Sequence, residues 1–429
     1  MTETAGATAR AQSGFGFYGW WAIVPAVFLI LLVTNALTVG GIAAFDPSFI
    51  SQLGVARADI KLGDAIQLGV TAFVTIGSGW LADRFGVRIV MATGAAALAW
   101  AFFSLAHVET LNDYYWSRFW MGVGLSGAGL AICVVAVSRW FLLRRGLALG
   151  IVLAGTSLGN AIFPRLFTEL IERDGWQSAA RVGGWLLIAL LLVIAFVVKE
   201  WPDRLGLKPY GADLAAPGSD AQQIAGPELS YAQILGRREF WLIGIAAFAT
   251  FYTILGYSNN MILHMQNLGV QPKEGSLLLV PLFLGGLVGK LAAGWLTDSF
   301  GRKPVWLVCL GLMLGGSVLF ATLSAELAIV AASLMGLGWG ANYTLLQAVL
   351  ADVFGTRSLG RVMGAITVLD ASGGALGPYV TARFADASGN YQSGFLLITG
   401  LLLVAFVCAS LLTVATPDLI AKRAKQAAG

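Results

Sequence analysis

Charge is what this sequence has least of. Only 12% of its 429 residues are Asp, Glu, Lys or Arg, about half the roughly 25% usual in soluble domains. Two or three soluble domains could not cover their surfaces with so few solvating groups. The same scarcity excludes a disordered chain, and it excludes a nucleic-acid-binding one despite a pI near 9.0. Histidine and cysteine are scarce too. His107 and His264 fit no zinc spacing, and Cys133, Cys309 and Cys408 are an odd set inside apolar runs, so neither a metal site nor a disulfide framework is expected. The first 17 residues are polar and rich in Gly and Ala. They read as a tail, since a signal peptide needs a short apolar core.

What the chain has in abundance is apolar length. Hydrophobic residues make up 57% and the mean hydropathy is +0.77. A bilayer core of about 30 Å takes roughly 20 such residues per helix. Between the charge clusters, spans are expected at 20–45, 62–82, 89–106, 114–137, 147–170 and 181–198. A polar stretch follows, then spans at 240–264, 275–297, 304–324, 327–350, 360–382 and 391–415. The runs lack period-two alternation and exceed a barrel strand in length. The expected fold is an all-α membrane protein of twelve transmembrane helices. With both termini on one side, 18 Lys and Arg fall on that side and 6 on the other, which makes it cytoplasmic. The expected layout is a cytoplasmic tail at 1–19, a six-helix bundle at 20–198, a cytoplasmic linker at 199–238, a second bundle at 239–416 and a tail at 417–429, in the plasma (inner) membrane.

The two halves repeat one another. GWLADRFGVR from Gly79 returns as GWLTDSFGRK from Gly294, 215 residues on. GLALGIVLAGTSLGNAIFP from Gly146 returns as GRVMGAITVLDASGGALGP from Gly360, 214 on, aligning Gly159 with Gly373 and Pro164 with Pro378. Trp176-Gln-Ser returns as Tyr391-Gln-Ser. Six-helix repeats of one orientation are the parallel kind.

These motifs carry a family resemblance. Gly79, Asp83, Arg84, Gly86 and Arg88, with Gly294, Asp298, Gly301, Arg302 and Lys303 in the second copy, resemble the loop 2–3 signature of the major facilitator superfamily; RFWMGVGLSG from Arg118 is similar to its span 4 pattern. The resemblance implies two bundles that rock about a central site. WFLLRRGLALGIVLAGTSLG from Trp140 resembles the span 4–5 signature of monocarboxylate transporters, and the stretch from Asn342 to Gly364 is similar to oxalate–formate antiporters. The chain departs from those relatives at Lys290, where Arg is usual, at Asp370, where the antiporters carry Lys, and at Asn260, where His is expected.

Depth sorts the charges. A charge at mid-bilayer costs about 3 to more than 10 kcal/mol and marks function by default, whereas one near a helix end snorkels. Lys290, eight residues before Asp298, lies about 12 Å into the membrane, and Asp370, ten residues beyond Gly360, about 15 Å. They are expected to face one another as an ion pair: Lys290 for substrate binding, and both for proton coupling. Arg118, Arg165, Asp64 and His264 count out near the outer ends, Arg118 with a possible role in an outer cavity. Asn35, Asn160, Tyr257, Asn260, Asn342 and Tyr343 are the uncharged candidates for the substrate cavity. Asp83, Arg84, Arg88, Asp298 and Arg302 are candidate gating latches.

The expected activity is proton-coupled symport of a small organic anion, a monocarboxylate, by a monomer that works in lipid with no cofactor, no metal and no nucleic-acid partner. An organic-anion exchanger and a cation or drug exporter are the alternatives. No nucleophile–base pair or phosphate loop points to an enzyme.

Overall fold

The structure, a computed structural model, describes residues 17–141, 145–210, 229–354 and 359–412. Among the described residues twelve long helical segments follow one another. They are α1 (Gly19–Leu53), α2 (Arg57–Phe85), α3 (Val87–Leu105), α4 (Leu111–Trp140), α5 (Arg145–Asp174), α6 (Trp176–Val197), α7 (Arg238–Asn267), α8 (Leu279–Phe300), α9 (Arg302–Ala321), α10 (Ala328–Phe354), α11 (Leu359–Ser388) and α12 (Gln392–Leu411). Each overlaps one predicted span. Ten meet a criterion of length and apolar composition for crossing a membrane; α2 and α11, at 29 and 30 residues, complete the set. Among the described residues there is no strand, only an isolated bridge between Phe141 and Tyr210. Large apolar side chains face outward, Phe73 at 80% and Phe196 at 74% exposure. Such a surface suits lipid and would aggregate in water.

The chain divides into two compact units, 1–219 with 271–280, and 220–270 with 281–429. Their internal pairings repeat. In the first unit α1 packs on α5, α3 on α4 and α3 on α6; in the second α7 packs on α11, α9 on α10 and α9 on α12. The repeated glycines explain this. A side chain at Gly159 would run into the Leu32 carbonyl of α1, and one at Gly373 into the Phe248 carbonyl of α7. Small residues let membrane helices approach to backbone contact. Gly86 (φ 96°) and Gly301 (φ 80°) make the turns that reverse the chain after α2 and α8, a backbone region glycine enters without a steric penalty.

The same repeat fixes two basic residues. Arg88 donates to the carbonyl of Ala195, tying α3 to α6, and Lys303 Nζ donates to the carbonyl of Ser410 at 2.6 Å, tying α9 to α12.

The expected 199–238 linker is engaged at both ends. Trp140 Nε1 donates to the Lys199 carbonyl at 3.0 Å, and Tyr210 sits among Phe17, Trp20 and Phe141 in the first unit. Beyond the undescribed 211–228, Ser230 and Gln233 cap a short helix (Tyr231–Leu235) reciprocally. Ile234 of that helix joins Phe240, Trp306 and Ile366 in the core of the second unit. The predicted tails fall almost wholly outside the described residues.

Candidate functional site

In the second unit, α8, α10 and α11 assemble the mid-membrane charges. Lys290 on α8 is half-buried, with Nζ 5.1 Å from the centroid of the Trp339 ring on α10. One turn on, Tyr343 has its ring 6.2 Å from that of Trp339 and 6.0 Å from Phe251 of α7. Tyr343 lies in the electrostatic field of Asp370 on α11. Asp370 Oδ1 and Trp339 Nε1 are buried with no hydrogen-bond partner among the described residues. The expected Lys290–Asp370 ion pair is absent from the described contacts. The ammonium lies instead against the Trp339 ring, next to Tyr343 on the same helix. Glycines build this approach, since side chains at Gly286 and Gly289 of α8 would strike Trp339 and the Leu337 carbonyl.

The uncharged candidates divide. Asn35 and Asn160 meet in the first unit, Asn160 Nδ2 donating to Asn35 Oδ1 at 2.8 Å. Asn160 Oδ1 accepts from the Gly40 N–H at 3.0 Å, where α1 passes from a π turn (Ala36–Gly40) to a 3-10 turn (Gly41–Phe45). Tyr257 is fully buried between Phe320 and Phe395, its hydroxyl 3.1 Å from Ser317 Oγ. Asn260 donates to the carbonyls of Gly256 and Pro378, at 2.9 and 3.1 Å, and accepts from the Tyr391 hydroxyl. Asn342 accepts from Trp306 Nε1 at 2.6 Å. These last three act as ties between helices of the second unit, apart from the Lys290–Asp370 set.

Two residues counted near the outer helix ends are buried within the bundles. His264 is 1% exposed, packed against the rings of Tyr391 and Phe395. Arg118 is also 1% exposed and pairs with Asp64 of α2. Arg165 pairs with Glu169 at 2.8 Å and donates to the Lys273 carbonyl. A cleft of about 540 Å³ opens near this end of α5, lined by Glu169, Glu172, Arg173 and Lys273. It does not touch the Lys290 set.

The family model of the Major Facilitator Superfamily matches residues 14–281 and 247–428. The chain belongs to the major facilitator superfamily. It is 27% identical over 406 residues to monocarboxylate transporter 13 of Bos taurus, covering 92% of this chain and 89% of that one. It is 25% identical over 402 residues to the oxalate:formate antiporter of Oxalobacter formigenes, covering 91% and 90%. A bacterial homolog of the human lysosomal transporter Spinster, in an inward-facing and occupied conformation, shares the fold with a TM-score of 0.69 at 14% identity, covering 90% of this chain and 95% of that one. The protein is thus a multi-pass membrane transporter of this superfamily.

Of the superfamily's loop residues, Arg84 is exposed beside its neighbour Phe85, with the guanidinium 5.5 Å from the ring centroid. Arg88 is engaged with Ala195 inside its own bundle. Arg302, half-buried, begins α9. The side chains of Asp83 and Asp298 lie outside the described residues. One group of charges escaped the sequence reading. Asp46, near the end of α1, is 2% exposed and pairs with Lys61 of α2. Its signal was an acid at the end of an apolar run, just before Pro47.

Proposed function

We propose that the protein is a proton-coupled symporter of a small monocarboxylate in the cell membrane, with both termini cytoplasmic. The observation that supports this reading is Lys290 held against Trp339 on the neighbouring helix, with Asp370 Oδ1 of the same unit buried and without a hydrogen-bond donor among the described residues. A carboxylate in that setting is costly to leave ionised, and a proton removes the charge. Lys290 offers the cation that a substrate carboxylate needs, in a charge-assisted bond. With Asp370 neutral and Lys290 bound to the anion, the site carries no net charge, and the carrier exchanges one facing for the other. A ligand drives that exchange only through its different affinities for the two facings. The two named relatives support an organic anion as cargo.

The likeness to an oxalate:formate antiporter supports a second reading, exchange of organic anions without protons. Purified protein in liposomes separates the two. Labelled short-chain monocarboxylates and oxalate are offered with and without an inward proton gradient. Symport predicts net monocarboxylate uptake into empty vesicles, accelerated by the gradient. Uptake that ignores the gradient and needs an anion inside the vesicle overturns the reading in favour of exchange.

A further inference from the structure

Lipid-facing helices ordinarily place their polar side chains at the membrane surfaces or towards a cavity. In α2 the polar groups lie on one face at helical spacing, Lys61, Asp64, Gln67 and Thr71, and the first three are buried. Phe73, on the opposite face, is exposed. The polar face meets α4 and the end of α1. There Asp46, Lys61, Asp64 and Arg118 form a cluster inside the first unit, each no more than 3% exposed. Lys61 Nζ pairs with Asp46 and lies 3.5 Å from Asp64 Oδ2; Arg118 Nη2 pairs with Asp64 Oδ1.

The two acids are held unequally. Asp64 has two cations. Among the described residues Asp46 has one, Lys61, which it shares with Asp64. The groups facing Asp46 are Lys61 and Asp64 of α2 and Arg118 and Tyr114 of α4. The neighbouring contacts from α5 and α6 are Phe167 and Trp176, which bring no charge. With both acids ionised the cluster is neutral. If Asp46 takes a proton, Lys61 keeps Asp64 as its counter-ion and the cluster becomes singly positive. Protonating Asp64 would instead leave Arg118 buried without a counter-ion, which is far more costly.

Two buried atoms show that the cluster is not closed on itself. Among the described residues Arg118 Nε has no acceptor and Gln67 Oε1 has no donor, in side chains 1% and 2% exposed. Buried polar groups are almost always satisfied, so each such exception calls for an explanation. Gln67 Oε1 lies one turn beyond Asp64 on the same face, an open hydrogen-bond acceptor beside the cluster.

We propose that Asp46, with Lys61, Asp64 and Arg118, is a proton-binding site in the first bundle, separate from the Lys290–Asp370 set, with the hydrated proton as its ligand. The proton moves from water to a carboxylate oxygen of Asp46 and returns to water on the other side of the cycle, and no other bond changes. The role in transport rests on the proton-coupled reading above, while the protonation itself does not.

The test is infrared difference spectroscopy of the full-length purified protein between neutral and acid pH, on wild type and the variants D46N, D46E and D370N. The expected result is a protonated-carboxyl C=O band that is lost in D46N, displaced in D46E and retained in D370N. D46E keeps a titratable group, so the test survives if D46N does not fold. A D46N spectrum identical to wild type, or a D46E band that does not move, overturns the proposal. So does loss of the band on adding sodium at constant pH, which would make a metal cation the ligand. Proton-driven uptake in D46N separates the two readings. Loss of the Asp46 band together with failure of every variant and wild type to move a monocarboxylate sinks the symport reading alone. An unchanged response of D46N uptake to the pH gradient overturns the site's role in transport and leaves the symport reading standing.

Discussion

Lys290 Nζ lies 5.1 Å from the centroid of the Trp339 ring. An ammonium over an indole gains about 0.5–2 kcal/mol, and the ring fixes where the long Lys side chain presents its charge. Replacing Lys290 by Gln is expected to abolish carboxylate uptake. Trp339→Leu keeps the cation but loosens it, so the half-saturating substrate concentration rises about 2- to 30-fold, the same energy read as affinity. Uptake kinetics in liposomes give both. Wild-type affinity in W339L would show that the ring does not position the ammonium.

Asp370 and the substrate site have separable tasks. Asp370→Asn keeps the shape and fixes the neutral state. The variant is expected to exchange labelled for unlabelled monocarboxylate across the vesicle membrane, yet to lose the acceleration of net uptake by an inward proton gradient. Counterflow and gradient-driven uptake, measured on one preparation, decide it. A gradient response equal to wild type would remove Asp370 from the coupling step.

The Arg118–Asp64 pair is buried, so breaking it from one side leaves an uncompensated charge. Arg118→Met is expected to lower unfolding stability by about 3–5 kcal/mol. Removing both charges, D64N with R118M, is expected to cost clearly less than the two single losses added, because contacting residues are not additive. Thermal unfolding in detergent of the four proteins closes the cycle.

Backbone contact at the repeated glycines predicts a matched pair of lesions. Gly373→Val drives its side chain into the Phe248 carbonyl, and Gly159→Val does the same at Leu32. Each is expected to destabilise its bundle by about 1–3 kcal/mol or more, as overpacking does. Gly150, inside α5, has open space around it, and Gly150→Ala is expected to leave the unfolding temperature unchanged or slightly raised.

The helices were legible because lipid demands long apolar runs, and the repeat because GWLADRFGVR and GWLTDSFGRK share the glycine that turns the chain. Counting residues from Asp298 or Gly360 also gives a height in the membrane, which is why Lys290 and Asp370 stood out. Height says nothing about direction around the helix axis. Asp64 and Arg118 counted out to the edge, where a side chain facing lipid would snorkel, but they pair with one another and are buried. Tyr257 and Asn260 count out deep, yet they serve Ser317, Gly256 and Pro378. Asp46 was missed because the apolar run of the first span seemed to stop at Phe45, whereas the helical path continues to Leu53.

The change of winding in α1 has a mechanical consequence. A π turn widens the coil at Ala36–Gly40 and a 3-10 turn tightens it at Gly41–Phe45, while the Gly40 amide is held by Asn160 of α5. Bare amides cannot face hydrocarbon, so a helix can flex inside lipid only where something else holds its backbone. Asn160 supplies that hold. The first helix is therefore two rods that meet where Asn160 holds the backbone, and the rod beyond that point carries Asp46.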